Sequence, residues 1–429
     1  MKILHTADWH IGKKLDNYSR LEEQRLVLAE ICQIAENENV DAIVVAGDLF
    51  DNFNPSSEAT ELLYSTLHRL SANGSRAVIA IAGNHDSPER IQVPDALAKV
   101  CGIIFVGFPN TEISQFCTQA KVDILRTAKG FIEIELPNTN FPLRILHTPY
   151  ANEQRLKTFL GVEDSEEALR IHLQKHWQEL ADEYLNDAGF NLLMTHLFVM
   201  QKGGPMPEEP EEERPILHIG GAQAIYTENF PDKIHYVALG HLHRYQVVDK
   251  NPAPIIYSSS PLAYSFSEAN QTKYVVLIEA EAGKLVSYRP IELTKGKKLR
   301  RKSFNDIDKA IEWLAEHSED LIELTIISDN YLEASDKKRL NEAHPGIIQI
   351  IPQIKKSELS TANAEIDLSL SMEKLFQEYF KTKNKGQEPS EGLMEVFREV
   401  LGTEEEGITK KATSNPLEYL SLDVKVLNP

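Results

Sequence analysis

Three short apolar runs near the N-terminus constrain the fold most, because polar residues of the same few types follow each one. The runs cover residues 2–6, 42–46 and 77–82, and their length predicts buried strands. The third run breaks at glycine into the tetrapeptide Gly-Asn-His-Asp at residues 83–86, which predicts a loop at the strand's C-terminal end. Ligands of open α/β sheets bind at that edge. The sequence therefore predicts a functional site made of strand-end loops.

Helical periodicity alternates with these strands up to about residue 107. Apolar residues recur at helical spacing over residues 18–38 and 56–70. Alternating strands and helices predict βαβ units around a largely parallel sheet. Between residues 120 and 150 the apolar period changes to two, which predicts antiparallel strands that lead to a second sheet.

Two further apolar strands are predicted beyond residue 185, after a long amphipathic helix at 165–185. They cover residues 190–194 and 235–239, and each ends in histidine: His196 after the first, His241 and His243 after the second. The segment between them, residues 201–214, contains five Glu and three Pro and predicts an exposed loop.

The composition excludes several classes of protein. No apolar run approaches the roughly 18 residues of a membrane span, and the N-terminus lacks the pattern of a signal peptide. Cys32, Cys101 and Cys117 have no metal-site or disulfide spacing, so we expect a cytoplasmic protein without membrane association. The net charge of −20 argues against coating of nucleic acid by bulk charge, but it permits a local basic groove.

The strand-end residues include enough metal-binding side chains for a dinuclear centre. They are Asp8, His10, Asp48, Asn84, His85, His196, His241 and His243. Carboxylate, imidazole and amide oxygen ligands suit Mn²⁺, Fe²⁺ or Zn²⁺. Two-metal sites place the ions about 3.5–4 Å apart around a phosphate. A shared carboxylate would leave one residue of this set for acid–base chemistry.

In their order along the chain, these motifs resemble the signature of the calcineurin-like metallophosphoesterases. The pieces are Asp8-x-His10, Gly47-Asp48-x-x-Asp51, Gly83-Asn84-His85-Asp86, a single His196 and Gly240-His241-x-His243. Longer matches at residues 4–12, 240–244, 257–261 and 265–268 resemble the SbcD branch of that family, the nuclease subunits of bacterial SbcCD complexes. The resemblance is close over residues 1–290 and looser beyond.

The resemblance implies a two-sheet α/β sandwich and three domains. These are a metallophosphoesterase nuclease domain at 1–292, a small α+β capping domain at 293–356, and C-terminal SbcC-binding helices with a tail at 357–429. A basic stretch at 295–302, with six Lys or Arg in eight residues, lies at the first boundary and is explained by a solvated linker or by DNA contact. In the C-terminal part, an apolar helix face at residues 375–380 favours a partner surface.

The resemblance also implies a role for each site residue. Two divalent ions, expected to be Mn²⁺, would share Asp48. The other ligands of the first ion would be Asp8, His10 and His243, and those of the second Asn84, His196 and His241. His85 would face the scissile phosphate, a task that suits an imidazole because it titrates near neutral pH. Asp86 would help to orient His85, although loop capping explains Asp51 and Asp86 equally well.

The function implied is hydrolysis of DNA phosphodiesters by in-line attack of metal-activated water. Exonuclease action on double-stranded ends and endonuclease action on hairpins and single strands would serve repair, recombination and replication at the bacterial nucleoid. An SbcC-type, SMC-like ATPase would be the partner of a homodimer within a heterotetramer. The alternative is a phosphodiesterase of the same superfamily that acts on a small molecule, because the metal site contacts only the phosphate. An inactive interaction scaffold is disfavoured by the intact ligand set.

Two features depart from the SbcD pattern. Ser259 stands where the pattern Tyr-Ser-Gly-Ser-Pro has glycine, so a tight backbone turn there would be strained. The acidic stretch at 208–213 is longer than usual and would repel DNA if it faced the binding groove.

Overall fold

A computed structural model describes residues 1–157, 165–207, 224–281, 284–328, 332–354 and 372–383, with residues 389, 393, 394 and 397. The chain divides into two compact units, Met1–Lys355 and Lys356–Pro429. The predicted acidic stretch at 208–213 and most of the predicted C-terminal helices and tail at 357–429 lie outside the described residues. None of the helices in the described ranges is long and apolar enough to cross a membrane.

The described strands, in chain order, are β1 (Lys2–Thr6), β2 (Lys14–Leu15), β3 (Tyr18–Ser19), β4 (Ala42–Val45), β5 (Ala77–Ile81), β6 (Ile103–Val106), β7 (Asp123–Ala128), β8 (Phe131–Glu135), β9 (Leu143–Thr148), β10 (Phe190–His196), β11 (Val199–Met200), β12 (Ile225–Tyr226), β13 (Tyr236–Gly240), β14 (Gln246–Asp249), β15 (Ile255–Tyr257), β16 (Lys273–Glu279), β17 (Ser287–Leu293), β18 (Leu299–Phe304), β19 (Leu321–Ser328) and β20 (Ile347–Ile354). The described α-helices are α1 (Leu21–Asn37), α2 (Ser57–Leu70), α3 (Pro88–Gln92), α4 (Asp95–Val100), α5 (Glu153–Leu156), α6 (Ser165–Tyr184), α7 (Ile307–Ala315), α8 (Ala334–Ala343) and α9 (Met372–Lys383).

Two large sheets form the centre of the first unit. The first has the order β17-β16-β1-β4-β5-β6, and β1, β4, β5 and β6 are parallel. The second has the order β14-β15-β13-β10-β9-β8-β7, and its middle strands β15, β13, β10 and β9 are parallel. The predicted antiparallel pairs at 120–150 are β7 with β8 and β8 with β9.

Alternating side chains on the strands build three apolar layers. Ile3 and Val44 pack in a core between the sheets, whereas Leu4 and Ile43 pack with α1 and α2 on the outer side. Trp177 of α6 is buried on the outer face of the second sheet. The resulting helix–sheet–sheet–helix arrangement confirms the predicted α/β sandwich.

The C-terminal part of the first unit is a small βαβαβ arrangement. Strands β18, β19 and β20 are parallel, and α7 and α8 connect them. Leu299 and Leu321 pack against Leu15 and Phe266 of the preceding part. The interpretation of residues 295–302 as a linker is wrong for their second half, because Leu299 is buried and the basic residues beside it belong to β18.

Two histidines are buried within the sheets, away from the strand-end loops. The His5 ring nitrogens lie 3.1 Å from the Tyr236 hydroxyl and 3.1 Å from the Leu239 carbonyl, so this residue links the two sheets. His147 on β9 is fully buried, and neither ring nitrogen has a hydrogen-bond partner within the described residues. Burial lowers the pKa of each imidazole to about 3.

We expect His147→Leu to reduce the acid sensitivity of folding. The folded-state pKa of His147 lies below its unfolded value, so the unfolded chain binds more protons as the pH falls below about 6.5. At pH 5 this lowers the free energy of unfolding by about 2 kcal/mol. Urea unfolding at pH 7 and pH 5 measures how far the free energy of unfolding falls between the two pH values. This decrease should be about 2 kcal/mol smaller in the variant than in wild type.

The control is His68→Leu, which removes a histidine from the exposed side of α2 and should leave the loss as large as in wild type. Equal losses in wild type and His147→Leu would contradict the expectation.

Candidate metal centre

The strand-end residues of both sheets converge at one place. Asp8, Asp48 and Asn84 follow β1, β4 and β5 of the first sheet, while His196 ends β10 and His241 follows β13 of the second. The contact between the two halves is direct, because the His241 backbone N–H donates to Asp8 Oδ1 at 2.8 Å. The parallel direction of these strands therefore gathers polar side chains that are far apart in sequence.

One group of possible ligands consists of Asp8, His10 and His243, all buried. The Nε2 atoms of His10 and His243 are 3.0 Å apart, so both nitrogens point into the same small space. Asp8 Oδ2 is buried and has no hydrogen-bond partner among the described residues. A buried carboxylate oxygen without a partner beside two imidazoles fits a divalent cation.

A second group surrounds the Asn84 side chain. Its Oδ1 lies 2.9 Å from His196 Nε2 and 3.1 Å from His241 Nδ1. Asp48 lies between the two groups, since its Oδ2 is 3.4 Å from His10 Nε2 and 3.3 Å from His196 Nε2. The donor set thus fits two divalent ions that share one carboxylate.

Several site residues have strained backbone conformations. The φ angles of Asp8, His10, Asp48 and His241 are +55°, +42°, +49° and +103°. Positive φ is uncommon outside glycine and concentrates at functional sites. Backbone hydrogen bonds hold the strain, for example from Asp8 N–H to the Gly47 carbonyl at 3.0 Å and from His10 N–H to the Asp48 carbonyl at 2.9 Å.

Two glycines allow the loops to approach this closely. A Cβ atom on Gly83 would lie 2.0 Å from Asp48 Oδ1, and one on Gly240 would lie 1.9 Å from the Ala46 carbonyl oxygen. Only glycine avoids these overlaps with backbone and ligand atoms.

The electrostatics favour a bound cation. Burial alone would raise the pKa of Asp48, but the charges of His196 and His10 outweigh it and hold that pKa well below its usual value. Burial alone would lower the pKa of His196, but the charge of Asp48 outweighs this effect and raises the pKa to about 9. Burial raises the pKa of Asp8 to about 6. Positive charge at this position would stabilise both carboxylates in their ionised form.

His85 is partly exposed at the edge of the two groups. Its Nδ1 lies 2.8 Å from the Asp51 carbonyl oxygen, so Nδ1 donates and Nε2 is left for another partner. Its backbone N–H donates to Asp48 Oδ1 at 2.9 Å, and its ring centroid is 4.9 Å from that of His10. Asp51 and His85 also form a third possible ligand group with His10.

Asp86 has a different partner from the one expected. Its carboxylate accepts hydrogen bonds from the backbone N–H groups of Leu49 at 3.0 Å, Phe50 at 2.9 Å and Gly83 at 2.9 Å. The His85 ring is therefore oriented by the Asp51 carbonyl, and Asp86 ties the two loops together. Of the two explanations offered for Asp86, these contacts fit loop capping and not orientation of His85.

The sequence analysis missed the residues behind His243. His243 Nδ1 lies 3.7 Å from Oε1 of the buried Glu268. Lys273 donates to the His243 carbonyl at 2.7 Å and to Glu268. Carboxylates behind a ligand histidine orient its ring. The match of residues 265–268 to the SbcD pattern included Glu268, but the pattern assigned no role to this residue.

The departure at Ser259 has the expected strain. Its φ is +83°, in the region that favours glycine. The side chain compensates in part, because Ser259 Oγ accepts a hydrogen bond from the Tyr274 backbone N–H at 2.9 Å.

Comparison with known proteins identifies the family. Residues 1–245, which include the strand-end donors of both groups, match the calcineurin-like phosphoesterase family. Over 414 residues the chain is 35% identical to the SbcD subunit of the SbcCD nuclease of Bacillus subtilis strain 168, covering 95% of this chain and 99% of that one. The chain belongs to the SbcD branch of the calcineurin-like phosphoesterases. This membership confirms the resemblance predicted from the motifs and the class of enzyme, a metal-dependent phosphoesterase.

Other SbcD relatives match over a shorter part of the chain. The SbcD protein from Rhodobacter capsulatus is 34% identical and covers 68% of this chain and 69% of its own length. The Staphylococcus epidermidis SbcD protein is 30% identical over 67% of this chain and 68% of its own.

We expect Asp48→Asn to impair binding at both ion positions, because Asp48 Oδ2 lies within 3.4 Å of donors in both groups. Loss of an outer-sphere partner already lowers metal affinity 10–100-fold, so loss of this shared carboxylate should lower it at least about 100-fold. Calorimetric titration with Mn²⁺ would measure the change. Asp182→Asn, which removes an exposed carboxylate on α6, is the control. Two ions bound to Asp48→Asn with wild-type affinity would contradict a shared position.

Proposed function

We propose that the chain is a Mn²⁺-dependent DNA nuclease, the nuclease subunit of an SbcCD-type complex that acts on duplex ends, hairpins and single strands. The observation that supports it most is the convergence of a full two-ion donor set in a chain that is similar to SbcD over 95% of its length. When bound, two divalent ions polarise the phosphate and lower the pKa of a water molecule.

Each side chain has a defined task in this proposal. Asp8, His10, Asp48 and His243 hold one ion, and Asp48, Asn84, His196 and His241 hold the other. The Asp51 carbonyl keeps the proton of His85 on Nδ1 and so aims Nε2 outward. A protonated Nε2 would donate to the phosphate or to the leaving oxygen, which is general acid catalysis.

Basic side chains that line two adjoining cavities favour DNA over a small phosphodiester. Two adjoining cavities of about 480 and 560 Å³ share the turn at residues 269–272. Arg244, next to the ligand His243, lines one of them, and the exposed Lys295, Lys297 and Lys298 line the other. Such a cluster in a chain of net charge −20 suits a polyanion that extends beyond one phosphate.

The partner assignments also belong to this proposal. We propose that residues 357–429 bind an SbcC-type ATPase, and we retain the division at residue 292 between nuclease and capping domains. Within the second unit, the rings of Phe376 and Phe397 stack with centroids 4.0 Å apart, so part of the apolar face of α9 has a partner in its own unit. Cys32, Cys101 and Cys117 are free, which is consistent with the cytoplasmic location that we propose.

The function is tested by Mn²⁺-dependent cleavage of end-labelled duplex and hairpin DNA, with metal content measured on the same samples. Wild type should cleave both, and His85→Gln should retain two ions but lose about 10²–10⁴-fold in rate, the usual contribution of general acid catalysis. Hydrolysis of a small phosphodiester without DNA cleavage would instead support the small-molecule alternative. Loss of metal in His85→Gln would show that His85 is a ligand.

An apolar stripe supports the proposed homodimer. Leu97 and Val100, three residues apart on α4, are 78% and 71% exposed, and Val93, just before α4, is 81% exposed. We expect Leu97→Glu to convert a dimer to a monomer in sedimentation, because it buries a charge in the interface.

Leu285→Glu is the matched control, since Leu285 is 96% exposed but lies outside the α3–α4 segment. If the wild type is a monomer, or if Leu97→Glu remains a dimer, the stripe is not the interface.

A further inference from the structure

The geometry points to Arg155 as a positioning residue for phosphodiester hydrolysis at the metal centre. It would hold the loop of residues 83–86 so that Asn84 faces its ion and His85 faces the phosphate. This inference rests on the proposed function for the identity of the reaction, but its contacts are independent of that function.

The guanidinium group of Arg155 binds the backbone of this loop. Nη1 donates to the Gly83 carbonyl at 2.7 Å, and Nη2 donates to the carbonyls of Asp86 at 2.9 Å and Asn84 at 3.4 Å. Arg155 is only 8% exposed. Its contacts therefore reach three of the four residues in the loop, including the backbone of the one that offers Oδ1 to the second group.

The arginine comes from the opposite sheet. It lies on α5, directly after β9 of the second sheet, and the Asn152 side chain fixes the start of this helix by accepting from Arg155 N–H at 2.8 Å. The loop follows β5 of the first sheet. Because His196 and His241 also come from the second sheet, Arg155 sets the position of Asn84 relative to the histidines that share its ion.

Tyr150 connects the arginine to a second ligand. The centroid of its ring lies 5.1 Å from the guanidinium carbon of Arg155. The same ring stacks on His241, with 6.5 Å between the two ring centroids and 30° between the ring planes. The Tyr150 backbone N–H donates to the Ala82 carbonyl at 2.9 Å, just before the loop. The segment from Tyr150 to Arg155 thus contacts the backbone both before and after Asn84 in the sequence.

A guanidinium is suited to this task in a way that lysine is not. Its planar fork of donors can bind several carbonyls at once, whereas an ammonium is a compact point charge. In Arg155→Lys we therefore expect the loop to lose part of its support while a positive charge remains. Asn84 would then be held less firmly and its ion would bind more weakly.

Arg76 provides a matched control within the same chain. It is also buried, at 9% exposure, and it also donates to three backbone carbonyls, those of Val40 at 2.8 Å, Leu70 at 2.9 Å and Ala35 at 3.3 Å. These carbonyls lie at the ends of α1 and α2 and next to β4, away from the donor groups. Arg76→Lys should therefore lower thermal stability without changing metal binding.

The test measures Mn²⁺ stoichiometry and affinity by calorimetry, thermal stability, and kcat and KM for DNA cleavage. We expect Arg155→Lys to bind one ion at wild-type affinity and the other 10–100-fold more weakly, with a similar loss in kcat and little change in KM. Arg76→Lys should bind both ions as wild type does. Equal metal binding by wild type and a folded Arg155→Lys would overturn the inference.

Two further results keep the test decisive. If wild type cleaves no DNA while Arg155→Lys still loses one ion, the proposed function fails and the positioning role stands. If Arg155→Lys does not fold, Tyr150→Leu is the alternative variant, because it keeps the arginine but removes the ring beside it. This variant should bind one of the two ions about 2- to 5-fold more weakly than wild type. Unchanged binding in that variant would then overturn the inference.

Discussion

The buried carboxylate of Asp48 is the constraint on which the rest of the site depends. It is 2% exposed, and one of its oxygens lies within 3.4 Å of histidines in both donor groups. An ionised group at this depth is stable only with opposite charge nearby. The glycine at 83 and the positive φ angles of Asp8, His10 and Asp48 itself are consequences of bringing the loops this close to it.

The same centre requires two sheets, because neither sheet supplies a full set of donors. The first contributes the carboxylates, His10 and Asn84, and the second contributes His196, His241 and His243. Besides the apolar core between them, buried polar contacts link the two sheets, such as those of His5 within the sheets and of Arg155 at the loop of residues 83–86. We infer that Arg155, one of these links, also positions Asn84 relative to the histidines of the second sheet.

The longer strands and helices of the sandwich could be predicted from the sequence, because periodicity reveals buried elements, and the polar residues at the strand ends marked where the candidate donors gather. The partners of these donors could not. Adjacency suggested that Asp86 orients His85, but neighbouring side chains point in different directions, and the Asp51 carbonyl, 34 residues away, makes the contact. Arg155 lies 69 residues from Asp86 in a stretch with no motif. The basic residues at 300–302 suggested a linker because one buried leucine, Leu299, is too weak a signal for an edge strand.

The central claim is that Asp48 serves two ions at once. Diffraction from crystals grown with Mn²⁺, with anomalous differences collected at the manganese absorption edge, tests it most directly. The account predicts two anomalous peaks on either side of Asp48, one beside His10 and His243 and the other beside Asn84 and His196. A single peak, or a second peak that Asp48 does not contact, would contradict it.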